Sequence, residues 1–331
     1  MMKKLLKIMP LIAAGGLAVL LAACSGGNGS GNPAAGPDAT AGIVDDDRKT
    51  AETGETSAPE ETPSPSAPAW TTDDQGRRLA GSDTKVTRDG SPKKYFTISF
   101  DDGITQDRKI LDIYKKYGFT SGTFFINTGL FGARWDWVGQ AVGKPGLSHL
   151  RWTEAELRTG IYDGFDVAVH TLSHGSLKNF DEAKVIREVQ QDADNIYAIT
   201  GVYPVGMAWP GGDTEYTKAT VGIVRDRTTI GFSRGTTSTG SFRLPKEWLK
   251  WMPTCSVSDP NLLKYAQKFL NSEAKSDMLF YVWGHGYELD LYDSWDRLDE
   301  LIRMMTEAED VVPVSNSEFY WLFKDEIPAT K

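Results

Sequence analysis

The chain has 331 residues, of which 40% are hydrophobic and 24% are charged, and its formal net charge is -9. This length accommodates one large α/β domain with additional segments, because barrel-like α/β domains commonly reach about 250 residues. The composition is ordinary for a globular protein. The acidic balance argues against nucleic acid as a partner and favours a neutral or basic ligand.

Residues 1–23 have the pattern of a secretory signal peptide, with lysines followed by an apolar run from Ile8 to Ala23. This run is too short and too interrupted for a membrane span, which needs about 20 apolar residues. Its end, Leu21-Ala-Ala-Cys24-Ser25, resembles the lipobox of bacterial lipoproteins, which implies cleavage before Cys24 and a lipid on its thiol. The alternative is an ordinary cysteine in an uncleaved anchor. Both interpretations place the rest of the chain outside the cytoplasm, anchored in a bacterial cell envelope.

Residues 24–75 are rich in Gly, Ser, Ala, Pro, Thr and acidic residues. Such a segment buries too little apolar surface to fold, so we predict a flexible tether that joins Cys24 to a catalytic domain over residues 76–331. This tether would let the domain reach a cell-wall substrate, although a linker retained for solubility alone fits the composition equally well. The only other cysteine is Cys255, so the exported protein would contain no intramolecular disulfide.

In the predicted domain, apolar strands alternate with helical stretches, which indicates a parallel sheet or barrel. We predict strands over residues 95–100, 122–126, 165–169, 205–209, 228–232, 278–283 and 311–314. We predict helices over residues 106–117, 181–200, 261–272 and 294–308, the first two ended by Gly118 and Gly201. Thr153 with Glu156 and Ser315 with Glu318 form capping boxes, which predict a short helix and the last helix.

Polar motifs follow four of the predicted strands at the points where those strands end. The motifs are Asp101-Asp102-Gly103, His170-Thr-Leu-Ser-His174, Trp209-Pro-Gly-Gly212 and Trp283-Gly-His285-Gly286. Because the carboxyl ends of parallel strands meet at one edge of a sheet, we expect these motifs to form a single site.

His170 and His174 are two of four histidines, and one turn of helix would place both rings on the same side. Two imidazoles and one carboxylate form a metal site that leaves coordination positions open, as in catalytic rather than structural sites. One aspartate of the Asp101-Asp102 pair would bind the metal, and its neighbour would take a proton. Zinc (Zn2+) is the default ion for this ligand set, and Co2+, Ni2+ or Mn2+ are alternatives.

Two other kinds of metal chemistry use similar ligands. A non-haem iron oxygenase also has two histidines and a carboxylate, but it leaves the paired aspartates and the strand-end His285 unexplained. Metalloprotease chemistry is disfavoured because the segment between His170 and His174 lacks the glutamate of that helical motif. A hydrolytic site therefore accounts for more of the motif residues.

In order and spacing, these motifs resemble the motif series of the polysaccharide deacetylases, carbohydrate esterase family 4. The resemblance spans residues 95–285 and implies an α/β fold of the distorted, incomplete (β/α) barrel type. It implies that Asp101 is the general base and His285 the general acid. It also implies that the metal ligands are Asp102, His170 and His174. The backbone N–H of Gly211, at the family's matching position, would stabilise the tetrahedral oxyanion.

Two positions depart from the family pattern. The family's third motif commonly begins with an arginine that pairs with the base, whereas this chain has Ala208 there. Arg234 is the candidate substitute, and the alternative is an ordinary structural or surface arginine. The fourth motif, usually an aspartate beside a tryptophan, is not evident, and Glu247, Trp248 and Trp251 lie in the corresponding region. Glu247 would orient the general acid, and either tryptophan would wall the acetyl pocket.

The sequence contains ten tryptophans, several of them in predicted loops or strand ends near the motifs. Because aromatic faces stack on the apolar faces of sugar rings, we expect some to line a groove and the others to pack in the core. The tryptophans considered are Trp135, Trp137, Trp152, Trp209, Trp248, Trp251 and Trp283. Pro210, beside Trp209, is assigned to the same surface.

Together these observations predict a hydrolase of carbon–nitrogen bonds other than peptide bonds. It would remove N-acetyl groups from a cell-wall or surface polysaccharide that contains N-acetylglucosamine. One alternative is a surface lipoprotein that binds carbohydrate with impaired catalysis, which Ala208 raises. Another is an esterase that removes O-acetyl groups from a polysaccharide. The expected partners are an N-acetylated glycan and, through the lipid on Cys24, the membrane.

Overall fold

The computed structural model describes residues 70–330. The predicted signal peptide, the lipidation site Cys24 and residues 24–69 of the predicted linker lie outside the described residues. The described part begins within the segment assigned to the linker, where Thr72 pairs with Arg78 and the N–H of Leu79 donates to the carbonyl of Thr71 at 3.0 Å. Within residues 70–330, every helix is too short or too polar to cross a membrane.

Within the described residues, eight strands form one sheet in which every strand pair is parallel. The strands are β1 (Lys94–Asp102), β2 (Gly122–Ile126), β3 (Asp166–Val169), β4 (Gly206–Ala208), β5 (Phe232–Arg234), β6 (Cys255–Ser256), β7 (Met278–Gly284) and β8 (Val311–Pro313). Their order is β5-β4-β3-β2-β1-β7-β6, and β8 pairs with the start of β1. The sheet is curled and incomplete, which confirms the predicted incomplete (β/α) barrel.

Helices connect the strands and cover the sheet. They are α1 (Asp107–Tyr117), α2 (Asp136–Ala141), α3 (Glu154–Leu157), α4 (Glu182–Thr200), α5 (Lys218–Arg227), α6 (Leu262–Leu270), α7 (Gly286–Leu291), α8 (Trp295–Glu307) and α9 (Asn316–Phe323). Gly118 and Gly201 end α1 and α4 with φ angles of 65° and 71°, in the left-handed conformation that glycine adopts without strain. Both predicted capping boxes are present, at the starts of α3 and α9. The sequence signals for these helix ends are therefore confirmed.

The predicted strand over residues 228–232 is wrong in position. Helix α5, which the sequence analysis did not identify, extends to Arg227, and β5 begins only at Phe232. The N-cap of α5 is Thr217, whose reciprocal partner is Thr220 rather than a glutamate or glutamine. Thr228 follows the helix, and its hydroxyl donates to a carbonyl in the last turn at 2.6 Å. The β-branched residues that indicated a strand therefore belong to the turn between α5 and β5.

Strand β1 is buried along its whole length, and its side chains enter two separate hydrophobic clusters. Phe96 and Phe100 belong to the cluster that contains residues of α1, α4 and α8, whereas Tyr95 belongs to the cluster that contains residues of α9. Successive side chains of a strand point to opposite faces. At the end of β1 this alternation stops, because Asp102 has a φ of 78°. Carboxylate oxygens of both Asp101 and Asp102 lie within 4.0 Å of Nε2 of His170 and of His285.

Candidate metal centre and active site

All four histidines of the sequence lie close to the carboxyl end of β1. The histidines whose Nε2 atoms lie 2.9–4.0 Å from a carboxylate oxygen of Asp101 or Asp102 are His149, His170, His174 and His285. His170 follows β3 and His285 follows β7, so the expectation that strand-end motifs converge is met. His149 lies in the crossover between β2 and β3 and was not assigned to the site from the sequence.

Asp102, His170 and His174 form a cluster whose ligand atoms all lie within 4.8 Å of one another. Oδ1 of Asp102 is 3.5 Å from Nε2 of His174 and 3.8 Å from Nε2 of His170. The two imidazole rings meet edge to face, with their centroids 4.8 Å apart. The three side chains thus converge in the way that ligands of one cation do, and they are the three that the sequence analysis named.

Both histidines of this cluster are suited to bind a cation as neutral imidazoles. Burial lowers the pKa of His170 and of His174 to about 3, which exceeds the opposing effect of Asp102. Nδ1 of His170 lies 2.9 Å from the carbonyl oxygen of Ala208, and because a carbonyl only accepts, Nδ1 carries the proton. The lone pair on Nε2 of His170 therefore points towards the cluster, held by a backbone contact typical of metal-binding histidines.

The segment from His170 to His174 is a loop, so the expected helical turn is wrong. Thr171 and His174 have φ angles of 65° and 54°, and Asp102 has a φ of 78°. Non-glycine residues rarely adopt such angles, and each costs free energy unless the surrounding structure fixes it. The left-handed residues bend the chain so that both imidazoles face Asp102 without a helix.

Helix α4 supplies two carboxylates that hold this loop. Asp192 accepts hydrogen bonds from the N–H of His170 at 3.1 Å and from the N–H of Thr128 at 2.7 Å. Glu188 accepts from both the N–H and the hydroxyl of Ser173 at 2.8 Å. Each carboxylate therefore accepts a hydrogen bond from the backbone of the loop, and together the two carboxylates stabilise its unusual conformation.

Arg234 pairs with Asp101, as the sequence analysis proposed. It is the last residue of β5 and is fully buried; one amino group donates to Oδ2 of Asp101, and the other donates to the carbonyl of Gly235 at 3.2 Å. In the β4–β5 pair, Arg234 lies directly beside Ala208. The guanidinium that the family pattern places at Ala208 is thus supplied from the neighbouring strand. Oδ1 of Asp101 is buried and has no hydrogen-bond partner among the described residues.

His285 lies between the aspartate pair and a third carboxylate. Its Nε2 is 3.8 Å from Oδ2 of Asp102 and 4.0 Å from Oδ2 of Asp101, and its Nδ1 is 3.5 Å from Oε1 of Glu288. Burial lowers the pKa of His285, but Glu288, Asp102 and Asp101 together outweigh burial and raise it to about 9. The imidazole is therefore protonated at neutral pH, as a general acid must be.

Glu247 was expected from the sequence to orient His285, whereas the carboxylate next to Nδ1 of His285 is that of Glu288. Glu288 lies three residues further along, and it also accepts from the N–H of His285 at 3.3 Å. Glu247 forms an ion pair with Lys250 at 3.6 Å. The signal for Glu288 was present in the sequence as a helix N-terminus directly after the strand-end histidine.

His149 and Arg151 both contact the carboxylate of Asp102, and neither was assigned to the site from the sequence. Nε2 of His149 is 2.9 Å from Oδ2 of Asp102, Arg151 donates to Oδ1 at 3.0 Å, and both side chains are 1% exposed. Burial raises the pKa of Asp102, but Arg151, His174 and His149 outweigh burial and hold it well below its usual value. Asp102 is therefore ionised, and it accepts hydrogen bonds on both oxygens.

The tryptophans divide into two groups. Trp209, Trp248 and Trp251 are at most 1% exposed, and Pro210 is buried, so their assignment to a substrate surface is wrong. The indole of Trp209 donates to the carbonyl of Leu249 at 3.0 Å, and the other two indoles pack against each other in the core. Trp209 belongs to one hydrophobic cluster of the core, and Trp248 and Trp251 belong to the other. Outside the core, Trp135, Trp137 and Trp283 keep part of their surface exposed.

Gly211, the predicted oxyanion donor, lies in the turn after β4 and is exposed to solvent. Its N–H donates to no protein acceptor within residues 70–330. The turn begins just after Ala208, whose carbonyl holds His170. The free N–H of Gly211 therefore lies just after the end of β4, the strand whose Ala208 carbonyl orients His170.

A parallel barrel whose charged and ligating side chains meet at the carboxyl ends of its strands is the architecture of a barrel enzyme. Residues 88–228 match the family model described as polysaccharide deacetylase. This match covers less than half of the chain, and it supports the resemblance to the polysaccharide deacetylases that the motifs predicted.

Solved structures resemble the chain at low sequence identity. A family 4 acetyl xylan esterase from Clostridium thermocellum, in complex with a cobalt ion, is 16% identical, with a TM-score of 0.44 over 71% of this chain and 94% of that chain. A CE4-family pseudoenzyme from Bacillus anthracis is 17% identical, with a TM-score of 0.43 over 68% and 65%. A polysaccharide deacetylase from Bacillus cereus is 17% identical, with a TM-score of 0.36 over 46% and 44%. No curated protein matches the chain significantly.

Proposed function

We propose that this protein is a metal-dependent deacetylase that hydrolyses N-acetyl groups of a polysaccharide containing N-acetylglucosamine. The observation that carries the proposal is the convergence of a base, a ligand cluster and an acid. Nε2 of His285 lies within 4.0 Å of oxygens of both Asp101 and Asp102, and Asp102 faces His170 and His174. A buried set of this composition at strand ends is what metal-assisted hydrolysis requires.

The donor set of Asp102, His170 and His174 fits a divalent cation such as Zn2+, because it offers two neutral nitrogens and one ionised oxygen. A divalent cation bound there would polarise the acetyl carbonyl and lower the pKa of a water molecule. Cobalt, nickel or manganese would satisfy the same ligands. His149 and Arg151, which contact Asp102, would keep its carboxylate in place during turnover.

The remaining steps belong to residues of the chain. Oδ1 of Asp101, which has no hydrogen-bond partner among the described residues, accepts a proton from the attacking water, while Arg234 donates to Oδ2. The N–H of Gly211 donates to the oxyanion that develops on the acetyl carbonyl. His285 then gives its Nε2 proton to the nitrogen of the sugar as the carbon–nitrogen bond breaks. The products are acetate and a free amino sugar.

The charge of His285 supports an amide rather than an ester substrate. An amide nitrogen leaves only after protonation, whereas an alkoxide leaves more readily without it. Glu288 keeps His285 protonated at neutral pH, and the raised pKa of about 9 makes the proton available across the physiological range. The arrangement is therefore matched to the poorer leaving group.

The location of the enzyme is part of the proposal. The pattern of residues 1–23 and the lipobox-like sequence at Cys24 support export and attachment to a bacterial membrane through lipid. Residues 25–69 would then separate the catalytic domain from the membrane. An N-acetylated cell-wall or surface glycan is the substrate that such a location presents.

Acetate release is the direct test. The full chain, purified in detergent, is incubated with peptidoglycan, poly-N-acetylglucosamine, chitin oligomers and O-acetylated xylan. We expect acetate from at least one N-acetylated polymer, loss of release with a chelator, and recovery on addition of Zn2+ or Co2+. Release from O-acetylated xylan alone would show an esterase, and glycan binding without release by metal-loaded protein would show a binding protein.

A further inference from the structure

Arg151 places a buried positive charge against one ligand of the metal cluster. Its side chain is 1% exposed, and its Nη2 donates to Oδ1 of Asp102 at 3.0 Å. Its Nε and Nη1 are buried and have no hydrogen-bond partner among the described residues. Within residues 70–330, Asp102 is the only carboxylate that forms an ion pair with Arg151. The charge of this arginine is therefore compensated by a proposed metal ligand alone.

The oxygen that Arg151 contacts is the one that faces the other two ligands. Oδ1 of Asp102 lies 3.5 Å from Nε2 of His174 and 3.8 Å from Nε2 of His170. A divalent cation at the cluster and the guanidinium therefore compete for the negative charge of one carboxylate. Two positive charges that share a carboxylate repel each other, so each weakens the binding of the other.

The guanidinium is also connected to the loop that carries both histidines. It lies 3.7 Å from the centre of the Trp135 ring, which fixes its plane. Oδ1 of Asn127 accepts a hydrogen bond from Nη2 of Arg151 at 3.4 Å. Nδ2 of Asn127 donates to the carbonyls of His170 and Thr171. Arg151 thus links all three ligand side chains through protein contacts that need no metal ion.

Each aspartate of the site is already paired with a buried arginine. Arg234 donates to Asp101 and Arg151 donates to Asp102, and all four residues are at most 4% exposed. A buried carboxylate without a cation is unfavourable, so a ligand whose only cation is a metal ion becomes unstable when the metal leaves. Asp102 instead keeps a cationic partner when the cluster is empty.

We propose that Arg151 makes the empty metal site stable and the bound cation exchangeable. In the metal-free protein, the guanidinium balances Asp102 and keeps the ligands converged. In the metal-loaded protein, the same charge lowers the affinity of the cluster for a divalent cation. The inference rests on the proposed function, because it places a divalent cation at this cluster. It also specifies regulation of the site, since occupancy, and with it turnover, follows the concentration of the free cation.

The first test compares the Zn2+ affinity of the full chain, purified in detergent, with that of Arg151→Met and Arg234→Met. Methionine removes the charge and keeps an apolar stem, and Arg234 is the matched control because it pairs with the aspartate that is not a ligand. We expect Arg151→Met to bind Zn2+ about tenfold more tightly, which is the scale on which residues around a metal change its affinity. Arg234→Met should change the affinity much less, and Arg151→Lys, which keeps the charge, should stay close to the unmodified chain. Competition with a fluorescent chelator measures the affinity.

Thermal unfolding with and without Zn2+ is the second test. The unmodified chain stripped of metal should melt close to the metal-loaded chain. Stripped Arg151→Met should melt at a clearly lower temperature and regain much of the loss with Zn2+, because a ligand that binds the native state more tightly stabilises it more. Unchanged or weaker Zn2+ affinity in Arg151→Met would overturn the proposal. Unfolding of the unmodified chain on removal of metal would also overturn it, and that measurement stands even if Arg151→Met does not fold.

Neither test needs turnover, so the inference and the proposed function fail separately. Tighter Zn2+ binding by Arg151→Met, in a protein that releases no acetate, would reject the deacetylase function and keep the inference. Acetate release by a protein whose Zn2+ affinity is unaffected by Arg151→Met would reject the inference and keep the function. Absence of Zn2+ binding in every variant would overturn the inference, and acetate release in the presence of a chelator then decides the function independently.

Discussion

Asp101 and Asp102 are neighbours in sequence, but their carboxylates lie in different surroundings. Asp101 is held on one oxygen by Arg234 of β5, and its other oxygen has no partner among the described residues. Asp102 is held on both oxygens, by His149 and Arg151 of the β2–β3 crossover. The group that holds Asp101 comes from a strand of the sheet, whereas the groups that hold Asp102 come from a connecting segment.

Both carboxylates lie within 4.0 Å of Nε2 of His170 and of His285, so the difference lies in the groups that hydrogen-bond to them. Asp101 keeps an unpaired oxygen, which suits proton transfer, whereas Asp102 is constrained on both oxygens, which suits a fixed ligand. The proposed roles of base and ligand therefore correspond to the different hydrogen bonds that each carboxylate accepts.

The largest expected effect distinguishes the two aspartates themselves. Asp101→Asn removes the base but leaves the ligand cluster intact, so kcat/KM for acetate release should fall by about 10²–10⁴-fold while metal affinity is retained. Asp102→Asn removes the anionic ligand and should abolish metal binding at micromolar metal. Competition with a fluorescent chelator measures affinity, and a coupled acetate assay measures turnover. Full activity in Asp101→Asn, or equal loss of metal in both variants, would contradict the division of roles.

A smaller effect distinguishes the residues that hydrogen-bond to Asp102 from the arginine that pairs with Asp101. His149→Leu removes a hydrogen bond to the ligand carboxylate and should weaken metal binding by about 10–100-fold. Arg234→Met leaves Asp101 buried without its cation, so it should reduce the free energy of unfolding by about 3–5 kcal/mol with little change in metal affinity. Urea unfolding and chelator competition on both variants give the four values. His149→Gln, which can still donate, is the control for lost ring packing.

The smallest effect is a shift in pH dependence. Glu288 is the main partner that raises the pKa of His285 to about 9. Glu288→Gln should lower this pKa, so His285 loses its proton at lower pH and the alkaline limb of kcat/KM moves to lower pH. Glu247→Gln, at the position first assigned to this role, should leave the limb in place. A shift in Glu247→Gln alone would restore the original assignment.

The parts of the fold that the sequence predicted are those with strong local signals. Buried apolar runs identified β1, β2 and β7, and glycines at helix ends identified where α1 and α4 stop. Arg234 was also named from the sequence as the candidate substitute for the missing arginine, although its strand was placed too early. Local patterns give the existence of an element more reliably than its boundaries, because capping and pairing decide the ends.

The missed parts of the site depend on contacts between distant segments. His149 and Arg151 lie about 50 positions after Asp102 in the sequence. They reach it because Arg134 and Leu150 pair as an antiparallel bridge through backbone hydrogen bonds, which side-chain patterns in the sequence do not indicate. The loop from His170 to His174 was expected to be helical because its spacing fits a helix. Its backbone N–H groups instead donate to Asp192 and Glu188 of α4, and these bonds fix another conformation. Tertiary contacts therefore determine both the residues that surround Asp102 and the conformation of the loop from His170 to His174.

The gathering of all four histidines in one place has a practical consequence. In the described part of the chain no imidazole lies elsewhere, so a nuclear magnetic resonance spectrum of protein labelled only on histidine contains no background from remote positions. Titration of such a sample with a cation would distinguish the imidazoles of His170 and His174, the proposed ligands, from those of His149 and His285. The proposed active site can therefore be observed through its own histidines, without any added probe.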